Sequence, residues 1–259
     1  FRERLLLQYK KNETTLLFGV QFDEEHNTTH SRTLGTESTI GQGEWVLNWA
    51  PYANIRWSKE GSRMNFYYGG NSKTPSGKDI LPSLDISNPV QVSAGNIYLR
   101  PEFSHYASFN LNSNNPKRFS YLYLYLNGNL YTNKIVYASW FDDNGNRYAI
   151  PVNSPDLGAD SQLYASYNTP IDKDKKLNLS LNARANFSHN TSYQAKTKLP
   201  GIDVDNFDYD KLMTWFIGNN SIAKSNTNTI SYSLDTRLRY RLARFDASVW
   251  GFAQNSITK

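Results

Sequence analysis

Residues 121–131 read YLYLYLNGNLY, and their alternation decides the fold. Successive side chains of a β-strand point to opposite faces. Leu122, Leu124 and Leu126 therefore share one face, and Tyr121, Tyr123 and Tyr125 the other. Neither face is plainly that of a soluble sheet, which sets one apolar side on a core and one polar side in water. The leucine face suits an apolar medium. The tyrosine face suits a place where rings pack and hydroxyls meet partners or water.

The same period runs the length of the chain. In LNLSLNARANF (177–187), Leu177, Leu179, Leu181, Ala183, Ala185 and Phe187 oppose Asn178, Ser180, Asn182, Arg184 and Asn186. In ISYSLDTRLRYR (230–241), Ile230, Tyr232, Leu234, Leu238 and Tyr240 oppose a row of Ser, Asp and Arg. The pattern predicts about ten strands, at 3–10, 14–22, 44–59, 63–70, 98–112, 119–141, 159–169, 177–190, 228–241 and 243–256. Short and long connections alternate between them. The long ones are 23–43, 71–97, 142–158 and 191–227. Structureless loops of that length are uncommon in compact soluble domains. Short turns at one end and long loops at the other are expected of a membrane barrel.

The 259 residues hold no Cys, 18 Tyr and 6 Trp, with a formal net charge of +5. Disulfides, thiolate metal sites and thiol nucleophiles are excluded. No basic run concentrates the charge, which argues against nucleic acid. Mean hydropathy is -0.64, and no apolar run is long enough for a transmembrane helix. Alternating strands keep hydropathy low, so a transmembrane barrel remains open. The residues thus predict an all-β, antiparallel up-and-down barrel with its apolar stripe on lipid and its polar stripe on a wet lumen. Trp45, Trp49, Trp57, Trp140 and Trp250 lie near predicted strand ends and are candidates for the aromatic girdles. A large soluble β-sandwich or β-helix is the alternative. One short helix is expected around Asp208–Phe216. The chain begins at Phe1 and stops in mid-pattern, as a trimmed piece would, and is read as one domain over 1–259.

GNIYLRPEFSHYASFNL (95–111) is more specific than any periodicity. It resembles the GNP-L-PE-SH segment of the TonB-dependent-receptor-like outer-membrane β-barrel proteins of Bacteroidetes-type bacteria. Gly95, Asn96, Leu99, Pro101 and Glu102 carry the match. DILPSLDISN (79–88) before it and YTNKIV (131–136) after it fit the same context. The matched stretches lie between Asn65 and Ala138, and weaker similarity extends beyond them. Ile97 stands where the family often has Pro, and Arg100 where it has Lys. Gly95 is expected to permit a turn, and Pro101 to bias Arg100 toward extended geometry. Glu102 is read as the partner of a basic group at the barrel rim or as a solvated strand-end charge.

The resemblance implies the C-terminal part of a barrel of roughly 22 strands, usually with a plug that this chain lacks. A complete ten-stranded barrel is the alternative. It further implies a receptor or transporter that takes up a glycan, peptide or metal chelate through the Gram-negative outer membrane. No cofactor is implied. Partners would be outer-membrane lipid, a TonB-type energy-coupling protein reached through parts outside this chain, and a surface lipoprotein. Ligand contacts would come from the four long loops. A structural or adhesive barrel without transport, and a secreted glycan-binding β-sandwich, are the other readings.

Two loop clusters could hold metal. His26 and His30 in DEEHNTTH lack the acid of a HExxH motif and sit in a Thr-rich loop. Asp203, Asp205, Asp208 and Asp210 offer carboxylate oxygens for Ca²⁺, without the Gly and terminal Glu of an EF-hand. Asp142–Asn146 (DDNGN) reads as a turn. No nucleophile–base pair, P-loop or dinucleotide fingerprint appears, which argues against an enzyme.

Overall fold

The computed structural model describes residues 1–33, 36–88 and 90–259, the side chains of 25–46 excepted. Strands β1 (Arg2–Lys11), β2 (Thr14–Thr33), β3 (Thr36–Lys59) and β4 (Ser62–Lys73) open the chain. A single helical turn, α1 (Gly77–Ile80), and short strands β5 (Leu84–Asn88) and β6 (Gln91–Ala94) follow. Then come β7 (Glu102–Asn115), β8 (Ser120–Thr132), β9 (Ile135–Phe141), β10 (Arg147–Asn153), β11 (Gly158–Pro170) and β12 (Leu177–Ala195). Helix α2 (Tyr209–Gly218) precedes β13 (Ile222–Leu242) and β14 (Phe245–Thr258). All fourteen strands among the described residues belong to one sheet.

Ten of them form an antiparallel meander, in the order β1-β2-β3-β4-β7-β8-β11-β12-β13-β14. These are the ten strands that the alternation predicts. Their register aligns the apolar positions across the whole sheet. One row runs Tyr9, Leu16, Ile55, Phe66, Phe109, Leu126, Leu163, Ala185, Tyr232. The adjacent row on the opposite face runs Arg56, Asn65, Asn110, Tyr125, Tyr164, Arg184, Ser233, Gln254. A slip of one residue at any ladder would exchange the two faces of that strand. The leucine face is left open to the surroundings, with Leu126 45% exposed and Leu234 49% exposed.

The tyrosines of the opening stretch lie on the polar face and find the partners they need there. Asn110 Nδ2 donates to the Tyr123 hydroxyl at 3.1 Å. The Tyr123 and Tyr164 rings lie 5.8 Å apart, and the Arg184 guanidinium sits 5.3 Å from the Tyr164 ring centre. Tyr164 Oη donates to Asn182, whose amide donates to Asp235 at 3.0 Å. The sheet is an open arc, a partial barrel. β1 and β14 each have one unpaired edge among the described residues.

Short turns close one end. Left-handed backbone at Asn12, Ala243 and the pair Glu60–Gly61 reverses the chain in two residues. Gly61 has φ +82°, and a Cβ there would lie 2.8 Å from the Asn114 carbonyl oxygen, so only glycine fits. At the other end the chain departs from the expected ten-strand outline. The segment 119–141 is not one strand: Asn133, at φ 52°, breaks it into β8 and β9. Strand β9 leaves the wall and pairs in parallel with the free upper edge of β12, Ala138 against Tyr193. β10, β6 and β5 extend from it as a four-stranded leaf. The segment 23–43 is also not a loop, since β2 and β3 run on as a long hairpin through most of it.

The two faces make different demands. Leu126→Arg would place a charge in hydrocarbon and is expected to cost about 2–4 kcal/mol in the midplane of a membrane. Gln162→Lys, on the polar face, is expected to be nearly neutral. Urea unfolding of the refolded protein in lipid vesicles measures both.

Candidate functional site

The long-loop end holds the chain's main hydrophobic core. Helix α2 starts where Asp208 caps it, its carboxylate accepting the Lys211 N–H at 3.1 Å. The buried side chains Leu212 and Met213 pack on Val92, Ala94, Trp140, Tyr148 and Ile150 of the leaf. Trp140 is 0% exposed, stacks on Tyr148 at 5.7 Å, meets Trp215 at 5.2 Å, and donates its Nε1–H to the Pro200 carbonyl at 3.0 Å. Burying such large rings is what binds α2 to the leaf. Three of the four long connections, 71–97, 142–158 and 191–227, thus converge in one cap.

The motif residues fasten that cap to the wall. Gly95 does not take a left-handed turn conformation as expected. It is buried, and a Cβ on it would lie 2.2 Å from the Leu81 carbonyl oxygen, so glycine permits two backbones to touch. Asn96 donates from Nδ2 to the Pro151 carbonyl at 2.9 Å and accepts the Tyr98 N–H at 3.0 Å. Leu99 is fully buried. Pro101 precedes β7, as its bias toward extended geometry predicts. Glu102 differs from both readings: its carboxylate accepts the Ile135 N–H at 3.1 Å, at the break between β8 and β9. Asn153 completes the fastening. Its amide donates to the carbonyls of Arg100 and Asn133, and its Oδ1 accepts the Arg100 N–H at 2.7 Å. Nothing in the sequence marked Asn153, since its role depends on β10 folding back over the motif.

Two cavities open in the cap. One, of about 310 Å³, lies beside the start of α2. Its walls are Ile202, Phe207, Leu212 and Trp215, with Asp203, Asp208 and Lys211 at the rim. The other, of about 280 Å³, lies between α1 and the leaf. There Lys78 pairs with Asp85 at 2.6 Å, and the Tyr137 hydroxyl donates to Asp79 at 2.5 Å. Burial, reinforced by Asp79, pushes the Tyr137 hydroxyl up to about 12, so it stays a donor at neutral pH.

The expected metal candidates take other duties. Asp203 accepts the N–H groups of Asp205 and Asn206 in a turn, and Asp208 is the helix cap. Asp210 lies in the first turn of α2, where a carboxylate complements the helix dipole. Among the described residues no three acids or histidines converge on a metal site. His26 and His30 fall in β2 rather than a helix, and their side chains lie outside the described residues. Asp142 caps its turn as the sequence suggests, accepting the Asn146 N–H at 2.8 Å, with Gly145 at φ +84°.

The tryptophans divide. Trp49 and Trp57 lie on the apolar rows, paired with Phe22 and with Met64. Trp45 lies outside the described side chains. Trp140 is a cap-core residue because β9 has left the wall. Trp250 pairs with Arg237 and so lies on the polar face. Neither Trp140 nor Trp250 can meet headgroups from the lipid side.

A wide, meandering wall, apolar outside and polar inside, with turns at one end and folded loops at the other, is the architecture of an outer-membrane β-barrel protein. Comparison with known proteins agrees. The profile of the "Outer membrane protein beta-barrel family" matches residues 6–259, and the chain belongs to that family and to the outer membrane. Solved structures of similar fold include the copper transporter OprC, at 8% identity and a TM-score of 0.41 over 90% of this chain and 38% of that one. Another is a double mutant of the Serratia marcescens hemophore receptor HasR with its hemophore HasA and haem, at 12% identity and a TM-score of 0.43 over 95% of this chain and 48% of that one. The chain spans less than half the length of either. A search of the curated proteins returns no match.

Asn153→Ala removes three solvent-accessible hydrogen bonds, each worth about 0.5–1.5 kcal/mol. Amide exchange is expected to rise at Arg100, whose N–H loses its acceptor, while the wall strands stay protected. The Asp142 turn adds a pH dependence. Burial raises its carboxyl, but the hydrogen bonds from Asn146 and Tyr148 outweigh it and hold the group below the usual carboxylate range. A lowered folded-state value stabilises the turn above the ordinary range, and that contribution is lost as pH falls through the folded value. Trp140 fluorescence is therefore expected to change on acidification below the usual carboxylate range, and the change should vanish in Asp142→Asn.

Proposed function

We propose that the chain is the ligand-receiving part of an outer-membrane uptake receptor, with the cap as its docking element and the polar face as part of the passage wall. The observation that carries this reading is the cap itself. Three long loops fold together around an aromatic core, and residues 200–215 of one of them line an open cavity of about 310 Å³ walled by Phe207 and Trp215. Concave, largely apolar cavities rimmed by a few polar groups are the usual form of small-ligand sites. The likeness of residues 95–111 to TonB-dependent-receptor-like barrels supports energy coupling through a TonB-type partner at parts of the protein beyond this chain. It also supports a surface lipoprotein as a second partner. A glycan, a peptide or a metal chelate all fit an aromatic cavity with amides nearby.

The test uses the intact protein in its native cell. Cells lacking it are expected to lose accumulation of one class of external solute, and Phe207→Ala with Trp215→Ala to reduce that uptake at least about tenfold, the loss expected when aromatic anchors are removed. Uptake should also stop when an uncoupler collapses the inner-membrane gradient. Normal uptake in the deletion strain, with loss of surface adhesion instead, would overturn the proposal in favour of a structural or adhesive barrel.

A further inference from the structure

We infer that the short-turn end is a docking surface for anionic phospholipid headgroups of the inner leaflet of the outer membrane. This rests on the fold and location alone and is independent of the uptake reading. The meander gathers at one rim residues from Lys10 to Arg244, and each of its five short turns has at least two lysines or arginines in it or within two residues of it. They are Lys10 and Lys11, Lys59 and Arg63, Lys117 and Arg118, the run around Lys175, and Arg241 and Arg244. Of these Lys10, Arg63 and Arg241 lie on the polar face, where Arg241 pairs with Asp246, and the lipid-side set is the remainder. Acids are fewer there and partly engaged. Asp172 accepts the N–H groups of Lys176 and Leu177, and Asp174 pairs with Lys176 at 3.0 Å.

The level of this rim is set by its neighbours. Phe119, Ile171, Leu242 and Phe245 are exposed large apolar side chains in or beside the same turns. Ile171, Leu242 and Phe245 end the lipid-facing rows, so the turns lie at the boundary between hydrocarbon and headgroups. Lys175 Nζ sits 3.2 Å from the centre of the Phe119 ring. That contact pairs an apolar body with a charged tip, the arrangement long basic side chains adopt at a membrane surface. Apart from Arg63, which lines an open polar-face cavity with Glu13 and Arg56, the cations are strung along an arc of strand ends. An arc in the membrane plane fits a row of lipid phosphates better than a single solute. Short turns of outer-membrane barrels face the periplasm, which makes the inner leaflet the lipid they meet. Basic side chains at such a surface attract anionic lipid.

The experiment places the intact barrel containing this chain in nanodiscs of equimolar phosphatidylcholine and phosphatidylglycerol. Native mass spectrometry then counts the lipids that stay bound. The expected result is enrichment of phosphatidylglycerol by about fivefold at the tightest sites, abolished in the combined variant Lys117→Gln, Arg118→Gln, Lys173→Gln, Lys175→Gln. The cap variant Lys134→Gln, Lys198→Gln, Lys211→Gln should keep it. Acetylation of Lys117 and Lys175 in the unmodified protein gives a reading that no folding defect can confuse. Both should be protected in phosphatidylglycerol nanodiscs relative to phosphatidylcholine ones. Bulk lipid composition in the bound set, enrichment that survives the turn variant, or equal acetylation in both lipids would each overturn the inference. So would turn-dependent binding of poly-glutamate without lipid preference, which would make the rim a site for an acidic protein.

Discussion

The backbone hydrogen bond between neighbouring strands is the constraint on which everything else depends. In hydrocarbon no water is available to satisfy an unpaired N–H or C=O, so a spanning segment must pair completely within the sheet. Ten long strands do so in a simple meander, and their register carries the central apolar row from Tyr9 to Tyr232 across the sheet without interruption by charge. Both faces follow from that pairing. One meets lipid through leucine, isoleucine and phenylalanine. The other meets water through asparagine, serine, arginine and the tyrosines whose hydroxyls find amide partners. Within hydrocarbon the free edges of β1 and β14 need partner strands, which places the arc inside a larger closed wall.

Where the wall ends, the constraint relaxes, and the chain builds differently. Strand β9 can leave its column because water is available above the membrane, and a left-handed Asn133 makes the bend. The cap that results is a small water-soluble domain in its physics. It has a conventional aromatic core and a helix packed on a sheet, with parallel as well as antiparallel pairing. The family-like segment 95–102 sits at the seam. Its polar groups hold backbone atoms of β9, β10 and the loop rather than a ligand. A sequence signature of this kind marks the joint between a membrane wall and its surface cap.

The charge distribution follows the same division. Basic residues recur at all five short turns, while the aspartates of the 203–210 loop lie at the far end. The spread is invisible as a linear run, because each turn contributes only two or three residues. It becomes a surface only when the meander brings the turns to one edge.

The alternation of YLYLYLNGNLY and its counterparts determined by itself that the chain is a two-faced antiparallel wall, which ten segments form it, and which ends carry turns. Those facts are local, since strand period and turn length depend on neighbouring residues. The helix at Asp208–Phe216 was legible for the same reason, through its cap and apolar spacing. The tertiary structure alone decided the rest. Trp140 and Trp250 look alike in sequence to Trp49, yet one is buried in the cap and the other faces the polar side. The loops 71–97 and 142–158 read as structureless because their strands are short and β6 pairs with β10 far away in the chain, whereas 23–43 continues the local β2–β3 hairpin. The cavity beside Trp215 is lined by residues 200–215 of one loop, whose helix is held by the leaf, and Gly95, Asn96, Glu102 and Asn153 act through contacts across tens of residues. Such contacts depend on which edges remain unpaired after the wall has formed, and no local pattern encodes that.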